Sequence, residues 1–446
     1  QHAAVQSLQG AGTVTNSGAA QTMTLNGATN FSGAISGALS LVFNGNAALS
    51  GLVDATGATT LNGSITLANT GTYDLADNNG IAGAAASAFI NNGQFEKTDG
   101  GVSDVSANFV NNGTLDVVSG ILQFTGGFTN NGVIDGLVTQ SGGVTTISAE
   151  APSDFNAEGL SDILLQNNDG SVALWELNGT NVVGGGAVGP NPGPGWAAIG
   201  KGDFNDDGQS DILFQNANGQ AAIWDLNGTN VVGGGAAGPD PGPSWSAIGT
   251  GDFNSDGHSD ILFQSTSGQA AIWELNGTNV IGGGAVGPNP GPGWEAIGTG
   301  DFNDDGHSDI LWQNTISGQV AIWEMNGTNV IGGGLVGANP GASWKAIGTG
   351  DFNNDGHSDI LFQNTISGQA AIWEMSGTDV IGGGLVGPNP GPSWEAIGTG
   401  DFNNDGYSDI LFQSTSGQAA TWELNGTNVI GGGLAGPTPG QGWRAV

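Results

Sequence analysis

Six copies of a nine-residue acidic segment follow one another in the last two thirds of the chain, and the fifth reads Asp-Phe-Asn-Asn-Asp-Gly-His-Ser-Asp at residues 351–359. The copies begin at Asp154, Asp203, Asp252, Asp301, Asp351 and Asp401. Oxygen-bearing side chains occupy positions 1, 3, 5 and 9, and a glycine at position 6 lets the backbone fold back so that these oxygens converge. Calcium binds about six to eight oxygens in proteins, so the spacing predicts a calcium site in each copy.

Two other interpretations of these segments exist. Asp, Asn and Gly favour turns without any metal, but four oxygen ligands in fixed register, repeated six times in a chain with four Lys and Arg, favour calcium. Position 7 is occupied by Leu160, Gln209, His258, His307, His357 and Tyr407. The three histidines suggest a transition metal, but the variation at this position instead favours exposed loop side chains.

The composition restricts the partners and the location of the protein. Forty Asp and Glu against four Lys and Arg would repel a nucleic acid or another acidic polymer. Cysteine is absent, so calcium is the expected substitute for disulfides. Because cytosolic free calcium is too low to fill weak sites, we expect a secreted or extracellular protein, associated with a cell surface.

Targeting and membrane segments are not apparent in the sequence. No stretch approaches about 18 apolar residues, so no membrane span is predicted. The chain opens at Gln1 with small and polar residues, as expected of a mature product whose export signal has been removed.

The sequence of residues 1–148 predicts a domain of short strands. Runs with apolar residues at alternate positions lie at residues 22–25, 39–43 and 64–67, next to Asn-Gly turns. Phe-x-Asn-Asn-Gly recurs at residues 89–93, 109–113 and 128–132. A period of about 20 residues predicts a β-helix, a solenoid of stacked rungs with Phe, Val, Ile and Leu pointing inward and Asn ladders at the corners. The composition resembles that of secreted bacterial adhesins and autotransporter passenger domains, and a β-sandwich is the alternative.

Catalysis is not expected of this chain. Polyuronate lyases of the β-helix fold rely on basic residues, and Lys97 is the only Lys or Arg in residues 1–148. Two carboxylates could pair as in a glycosidase, but the acids here are expected to be scattered, solvated turn residues. They are Asp54, Asp74, Asp77, Glu96, Asp99, Asp104, Asp116 and Asp135. Elsewhere no Ser/His/Asp or Cys/His arrangement is recognisable, so we predict a protein that is not an enzyme.

Residues 149–446 predict an all-β domain, a six-bladed β-propeller with four-stranded blades. The copy that starts at Trp344 has strand-like runs at residues 344–348, 359–363 and 369–374. A fourth strand follows a tight turn, as in the preceding copy, where Asn-Gly before residues 328–331 suits a hairpin. Four antiparallel strands in about 50 residues make one blade. Two copies are one residue longer because they contain Ile316 and Ile366, which we expect in a surface turn.

The two ends of this domain predict how the ring closes. No Trp-x-Ala-Ile run precedes Asp154, whereas the chain ends with Trp443-Arg-Ala-Val446. We therefore expect residues 443–446 to supply the missing first strand of the blade that contains residues 163–186, which leaves no open sheet edge.

The loop D-x-N-x-D-G-x-x-D followed by Ile-Leu-Phe-Gln resembles the FG-GAP and VCBS repeats of integrin α-subunit propellers, of many secreted bacterial proteins and of some propeller lectins. The resemblance covers residues 154–446. It implies a β-propeller that binds Ca2+ between the first two strands of each blade, about six ions per chain. The ligands that it implies are Asp154, Asn156, Glu158 and Asp162; Asp203, Asn205, Asp207 and Asp211; Asp252, Asn254, Asp256 and Asp260; Asp301, Asn303, Asp305 and Asp309; Asp351, Asn353, Asp355 and Asp359; and Asp401, Asn403, Asp405 and Asp409. Glu158 departs from the aspartate of the pattern.

Twelve of the thirteen tryptophans repeat at two positions of the blade. The first-strand row is Trp196, Trp245, Trp294, Trp344, Trp394 and Trp443, and the third-strand row is Trp175, Trp224, Trp273, Trp323, Trp373 and Trp422. Packing between neighbouring sheets is one interpretation; the other is that the third-strand row lines pockets in which the rings stack on sugars. We therefore expect a structural or adhesive surface protein whose partners are other surface proteins, copies of itself or glycans, with a carbohydrate-binding lectin as the alternative.

Overall fold

The computed structural model describes residues 3–75, 80–84, 86–98, 102–117, 121–131, 133–135, 137–141, 144–148, 153–440 and 442–446. Strands occur throughout these residues and helices do not. The chain divides into two compact units, Gln1–Glu150 and Ala151–Val446. The boundary predicted between residues 148 and 149 lies at the edge of residues 149–152, which are outside the described part of the chain.

The first unit is a parallel β-solenoid of about six turns, as the 20-residue period predicts, rather than the alternative β-sandwich. Its strands are β1 Ala3–Val5, β2 Gln9–Gly10, β3 Thr13–Leu25, β4 Thr29–Phe31, β5 Ala34–Phe43, β6 Ala47–Leu49, β7 Val53–Ala55, β8 Thr59–Leu61, β9 Thr66–Asn69, β10 Thr72–Leu75, β11 Ile81–Gly83, β12 Ala88–Asn91, β13 Gln94–Lys97, β14 Val102–Val105, β15 Asn108–Asn111, β16 Thr114–Val117, β17 Ile121–Phe124, β18 Phe128–Asn130, β19 Val133–Asp135, β20 Leu137–Ser141 and β21 Val144–Ser148.

Each full rung of the solenoid consists of three short strands that pair in parallel with their equivalents in the next rung. The rung β12, β13 and β14, for example, stacks on β15, β16 and β17. The register aligns Phe89 with Phe109 and Phe109 with Phe128, as the Phe-x-Asn-Asn-Gly period predicts. After β19 the chain forms an antiparallel hairpin, β20 and β21, which pairs with β17.

The solenoid core is one continuous apolar cluster that extends from Met23 to Phe124. Aromatic rings of successive rungs stack inside it, and Phe89 and Phe109 are nearly parallel with centroids 5.0 Å apart. The predicted inward orientation of the apolar residues is therefore confirmed. Alternating burial along strands such as β12 and β16 follows from the two-residue period of side chains in a strand.

Asparagine ladders join the rungs at the turns. In the buried ladder, the Nδ2 atoms of Asn69, Asn91 and Asn111 donate to the Oδ1 atoms of Asn91, Asn111 and Asn130 at 2.8–2.9 Å. A second ladder, on the exposed side, joins Asn92, Asn112 and Asn131. Because a buried amide is costly unless its hydrogen bonds are made, each asparagine fixes the register of the rung above it.

The acidic residues of the solenoid do not lie in turns, so that prediction is wrong for those that the structure describes. Asp54, Asp74, Glu96, Asp116 and Asp135 occupy the middle strand of five successive rungs and are directly in register with one another. The first four form a single column of like charges. Asp104 lies on strand β14, and Asp77 and Asp99 lie outside the described residues.

The second unit is a six-bladed β-propeller with four-stranded blades, as predicted. Its strands are β22 Ile163–Asn167, β23 Val172–Asn178, β24 Asn181–Val188, β25 Trp196–Gly202, β26 Asp211–Asn216, β27 Ala221–Trp224, β28 Leu226–Asn227, β29 Asn230–Val231, β30 Gly235–Ala237, β31 Trp245–Gly251, β32 Asp260–Ser265, β33 Ala270–Asn276, β34 Asn279–Val286, β35 Trp294–Gly300, β36 Asp309–Asn314, β37 Val320–Asn326, β38 Asn329–Val336, β39 Trp344–Gly350, β40 Asp359–Asn364, β41 Ala370–Ser376, β42 Asp379–Leu385, β43 Trp394–Gly400, β44 Asp409–Ser414, β45 Ala419–Asn425, β46 Asn428–Ala435 and β47 Trp443–Ala445.

The last strand closes the ring in the first blade. We number the blades 1 to 6 in the order of their second strands, β22, β26, β32, β36, β40 and β44. Blade 1 has the strand order β24-β23-β22-β47, and β47 pairs antiparallel with β22, which aligns Leu165 with Ala445 and Asn167 with Trp443. This confirms the closure predicted from the two ends of the domain. The two additional residues, Ile316 and Ile366, are about four-fifths exposed in their turns, also as predicted.

Candidate metal centres

Each acidic segment forms a tight loop that leads into the second strand of its blade, and in blades 2 to 6 it connects that strand to the first. We call them loops 1 to 6, residues 154–162, 203–211, 252–260, 301–309, 351–359 and 401–409. Position 6 is a glycine with positive φ in every loop, for example 86° at Gly356. Position 4 has φ of 55–59° although it is never glycine. A left-handed residue without glycine is uncommon and marks backbone that the surroundings hold in place.

Backbone amides converge on the carboxylate at position 1. In loop 2, Asp203 Oδ1 accepts hydrogen bonds from the N–H groups of Asn205 and Asp207, and Asp203 Oδ2 accepts one from Gly208 at 2.7 Å. The carboxylate at position 5, Asp207, accepts from Asn205 Nδ2 and from the N–H of Gln209. The loop is therefore organised around its own acids.

The carboxylate at position 9 is buried between two strands. Asp359 is fully buried, its Oδ2 accepts from the N–H of Phe352 at 3.0 Å, and its Oδ1 accepts from the N–H of Met375 at 2.8 Å. The same pair of bonds recurs at Asp162, Asp211, Asp260, Asp309 and Asp409. Each carboxylate oxygen has a second lone pair, so these bonds leave acceptor capacity for a further ligand.

Burial raises the pKa of these acids because it removes water from the charged form. The pKa of the position-9 carboxyl is raised to about 8 in Asp162, Asp211, Asp359 and Asp409, and to about 7 in Asp260 and Asp309. Burial also raises the pKa of the position-1 acids, to about 6 for Asp351 and Asp401. A carboxylate with these properties is stabilised by a neighbouring cation.

The loop residues fit a bound calcium ion in their chemistry. They supply carboxylate and amide oxygens, which are the ligands of hard cations, and the buried Oδ1 atoms of Asn156 and Asn303 at position 3 make no hydrogen bond. Within the described part of the chain, no three His, Asp or Glu side chains already form a cluster able to hold a metal ion. Calcium binding by the 24 predicted ligands therefore stays a prediction.

The loops also connect neighbouring blades. The N–H of Ser210 in loop 2 donates to the carbonyl of Asp154 in loop 1 at 2.6 Å, and the N–H of Ser161 in loop 1 donates to Asp401 of loop 6 at 2.7 Å. The equivalent bond joins every other consecutive pair of loops. A second set of hydrogen bonds connects each blade to the preceding loop. The N–H of a hairpin glycine donates to the carbonyl at position 2 of that loop, as Gly228 does to Phe155. The six loops thus form a continuous ring.

The three loop histidines are half-buried and not exposed as expected from the sequence. His258 Nε2 lies 2.6 Å from Asn276 Nδ2, and His307 Nε2 lies 3.1 Å from Asn326 Nδ2. These asparagines belong to the hairpin between the third and fourth strands. His258 and His307 therefore join their loops to their own blades.

Sequence reasoning missed one further acidic row near the loops. It follows the third-strand tryptophans and comprises Glu176, Asp225, Glu274, Glu324, Glu374 and Glu423. In blade 2, Asp225 faces the loop closely enough to raise the pKa of Asp211, and its buried Oδ1 makes no hydrogen bond. The repeat of Trp-Glu or Trp-Asp was visible in the sequence, but its position beside the loop depends on the packing of the blade.

Both tryptophan rows are half-buried and pack against the apolar clusters between consecutive blades. Trp373 lies beside Phe362 of its own blade, with centroids 4.8 Å apart. Its ring also packs closely against Gly337 of the preceding blade, where a Cβ atom would lie 3.1 Å from the ring. This arrangement agrees with inter-blade packing, and sugar binding by the third-strand row stays a prediction.

The FG-GAP-like repeat family matches five overlapping segments of the chain, residues 154–214, 203–263, 252–312, 301–362 and 351–412. Together they span more than half of the sequence. The chain belongs to the FG-GAP-like repeat family. Each matched segment begins at position 1 of an acidic loop and ends near the second strand of the following blade. The FG-GAP-like repeat is therefore centred on the junction between two blades.

No curated protein matches this sequence. Among solved structures, the FG-GAP-like chain is similar to a chain of a nidogen/laminin complex, with 12% identity, a TM-score of 0.42 and coverage of 61% of this chain and 93% of that one. It is also similar to the Dos1 propeller, with 13% identity, a TM-score of 0.36 and coverage of 68% and 74%. A third similar structure is the dihydro-heme d1 dehydrogenase NirN in complex with DHE, with 11% identity, a TM-score of 0.34 and coverage of 66% and 77%.

In the described residues of this FG-GAP-like chain, we find no helix with the length and apolar character required to cross a membrane.

Proposed function

We propose that this FG-GAP-like protein is a secreted, calcium-binding, non-catalytic component of a surface or matrix, with a structural or adhesive role. The observation that carries the proposal is the ring of six acidic loops, each of which donates to or accepts from the loops on both sides. A divalent ion in each loop would neutralise buried carboxylates at the junctions between blades. The propeller would then be rigid where calcium is abundant, which is the extracellular situation.

The adhesive part of the proposal rests on repetition. Six nearly identical blades present the same outer segment six times, and each outer segment exposes a β-branched residue to more than half of its full extent. These residues are Val183, Val232, Ile281, Ile331, Ile381 and Ile430. A surface with repeated, equivalent contacts binds through many weak contacts at once. Other surface proteins, copies of this chain and glycans are the proposed partners.

Calcium binding is tested at a single loop. Asp355→Ala removes one carboxylate that accepts from the N–H of His357, and leaves the other five loops intact. We expect elemental analysis to give about one calcium ion fewer per chain, from about six in the parent. The matched control is Asp379→Ala, an exposed acid on the outer strand of the same blade. Equal stoichiometry in the parent and in Asp355→Ala would show that Asp355 is only a turn residue.

Adhesion is tested separately with beads coated with the purified protein. Beads that carry the parent should cluster, or bind a surface coated with the same protein, in calcium and should disperse in EGTA. Dispersed beads in both buffers, together with normal calcium stoichiometry, would contradict adhesion between copies while leaving calcium binding intact.

The lectin alternative is favoured by the position of the third-strand tryptophans in the crevices between blades, where each ring is only half-buried. A glycan array distinguishes the two functions, since only a lectin gives glycan binding that is weakened in Trp323→Ala. Substitution of a single crevice tryptophan leaves five equivalent sites, so the loss should be partial.

A further inference from the structure

The propeller contains a cavity of about 660 Å3 at its centre. Residues from the first strands β31, β35, β39, β43 and β47 line it, and the first strands of successive blades contact one another. A cavity that reaches the first strands of five blades lies on the axis of the ring. Its volume is within the range of about 300–1,000 Å3 that small-molecule sites occupy.

The charged residues of the cavity all occupy the same position of the repeat. This position follows the first-strand tryptophan, at the end of the strand remote from the acidic loop. In ring order from blade 2 it is occupied by Ala197, Ser246, Glu295, Lys345, Glu395 and Arg444, and all six are exposed. Its neighbours in the strand, Trp and Ala, are the same in all six blades. Four consecutive blades therefore carry alternating charges at this position, whereas the other two blades carry a neutral residue there.

These four residues stand out in so acidic a protein. The chain has four Lys and Arg in total, and two of them, Lys345 and Arg444, lie in this cavity. Among the described residues, none of the four cavity charges forms an ion pair shorter than 4 Å with another. Their side chains also make no hydrogen bond to another described residue. The four groups are free to contact a ligand.

The arrangement selects the charge of that ligand. The two cations and two carboxylates of the cavity have no net charge. A simple anion would therefore be repelled by the two neighbouring carboxylates and by a chain whose formal charge is −36. A simple cation would bind as well to the acidic loops. A ligand that carries a carboxylate and an ammonium group satisfies both signs at once. The isoleucines Ile297, Ile347 and Ile397, together with Trp394, add apolar surface to the same cavity.

We propose that the central cavity binds a small zwitterion of the amino-acid or short-peptide class. Arg444 and Lys345 receive the carboxylate, for which the guanidinium of Arg444 offers two parallel N–H donors. Glu295 and Glu395 receive the ammonium group, and an apolar side chain of the ligand contacts the isoleucines and Trp394. This site is independent of calcium in the loops and of the crevices between blades.

The first test measures binding by isothermal titration calorimetry in calcium-containing buffer. The probes are trileucine, N-acetylated trileucine, trileucine amide and free leucine. We expect trileucine to bind, and each blocked peptide to bind at least about tenfold more weakly, since each loses one charge-assisted contact. Free leucine separates an amino-acid site from a peptide site, because a peptide site binds it more weakly than trileucine.

The second test assigns the two charges to residues. Arg444→Gln should weaken trileucine about tenfold and should bind free and amidated trileucine alike. Glu395→Gln should instead lose the preference for the free ammonium group over the acetylated one. Ser246→Gln is the matched control, because it changes the same position in one of the two blades that carry a neutral residue there and should leave binding unchanged. Melting curves of all three variants establish that the propeller is intact.

Three results would overturn the proposal. The first is the absence of binding heat for trileucine and leucine at millimolar concentration in the intact protein. The second is equal binding of free and doubly blocked peptides, which would indicate a purely apolar site. The third is binding of acetate as tight as that of trileucine, which would indicate a simple anion site.

Discussion

The solenoid and the propeller are both repeat structures, but they join their repeats in different ways. In the solenoid the strands of successive rungs pair in parallel, and one apolar cluster extends from Met23 to Phe124. In the propeller no sheet continues from one blade to the next, and six separate clusters each pack between two consecutive blades. The blades therefore depend on side-chain contacts for what the solenoid obtains from backbone pairing.

A buried glutamine provides much of this connection. In blade 4, Gln313 Nε2 donates to the carbonyl of Trp344 at 2.9 Å, and Gln313 Oε1 accepts from the N–H of Ala346 at 3.0 Å, both in blade 5. The equivalent glutamine does the same in every blade, and Gln413 holds the closing strand β47. The glutamine thus corresponds to the asparagine ladder of the solenoid. Where no backbone hydrogen bonds join one sheet to the next, the two hydrogen bonds of one amide side chain make the connection instead.

Calcium removal should give the largest difference between the two units. Each occupied site that binds only the folded propeller adds about 2.7 kcal/mol when calcium is at 100 times its dissociation constant. Excess EGTA should therefore lower the melting temperature of the propeller strongly and leave the solenoid transition in place. Differential scanning calorimetry of the full chain measures both. A propeller transition that does not move in EGTA would contradict six structural calcium sites.

Loss of the closing strand should have the second largest effect. Deletion of residues 443–446 removes the pairing of β47 with β22 and the burial of Trp443 and Ala445. We expect the free energy of unfolding of the propeller to fall by on the order of 5 kcal/mol. Its melting temperature should decrease by about 10 °C. Arg444→Ala keeps the strand and is the control. A truncated protein that melts like the parent would show that the ring does not depend on closure.

A single glutamine should distinguish contacts between blades from contacts within one. Gln313→Leu leaves the carbonyl of Trp344 and the N–H of Ala346 buried without a partner, which costs about 2–4 kcal/mol. The control is Gln319→Leu, because Gln319 donates to Val336 within the same blade and is half-buried. Urea unfolding should show that the free energy of unfolding of this control is lower than that of the parent by less than about 1 kcal/mol. Equal losses would mean that the glutamine does not connect the blades.

The acidic column should make the solenoid sensitive to pH, with the smallest effect of the four. The pKa of Asp74 is raised to about 7, chiefly by burial. The hydrogen bond from Thr98 and the charge of Lys97 lower this pKa, and the neighbouring Glu96 and Asp54 raise it. Because the folded pKa is above the unfolded one, the favourable contribution is complete below about pH 4 and is lost as the pH rises through about 7.

The solenoid should therefore be more stable at pH 5 than at pH 8, by about 1–2 kcal/mol after allowance for solvent screening. Asp74→Asn keeps the acceptor for Thr98 and should remove most of this difference. Melting curves at the two pH values measure it. A variant with the same pH dependence as the parent would place the titrating group elsewhere.

Local chemistry made most of the architecture predictable. The strand predicted at residues 344–348 is β39, Trp344–Gly350, and the strand predicted at residues 369–374 is β41, Ala370–Ser376. Alternating apolar residues and Asn-Gly turns act over a few residues, so they can be recognised in any window of the sequence. The loop pattern predicted the candidate metal ligands for the same reason.

The sequence by itself determined the period of each unit, the four strands of a blade and the closure by residues 443–446, because these depend on repetition and on short-range turn chemistry. Only the tertiary structure decided which side chains meet. Asp54, Asp74 and Glu96 form a column because parallel register aligns residues about 20 positions apart. Gln313 meets Trp344, and Arg444 lines the same cavity as Glu295, because the ring returns to its starting point. Such contacts depend on register and closure, which no local segment specifies.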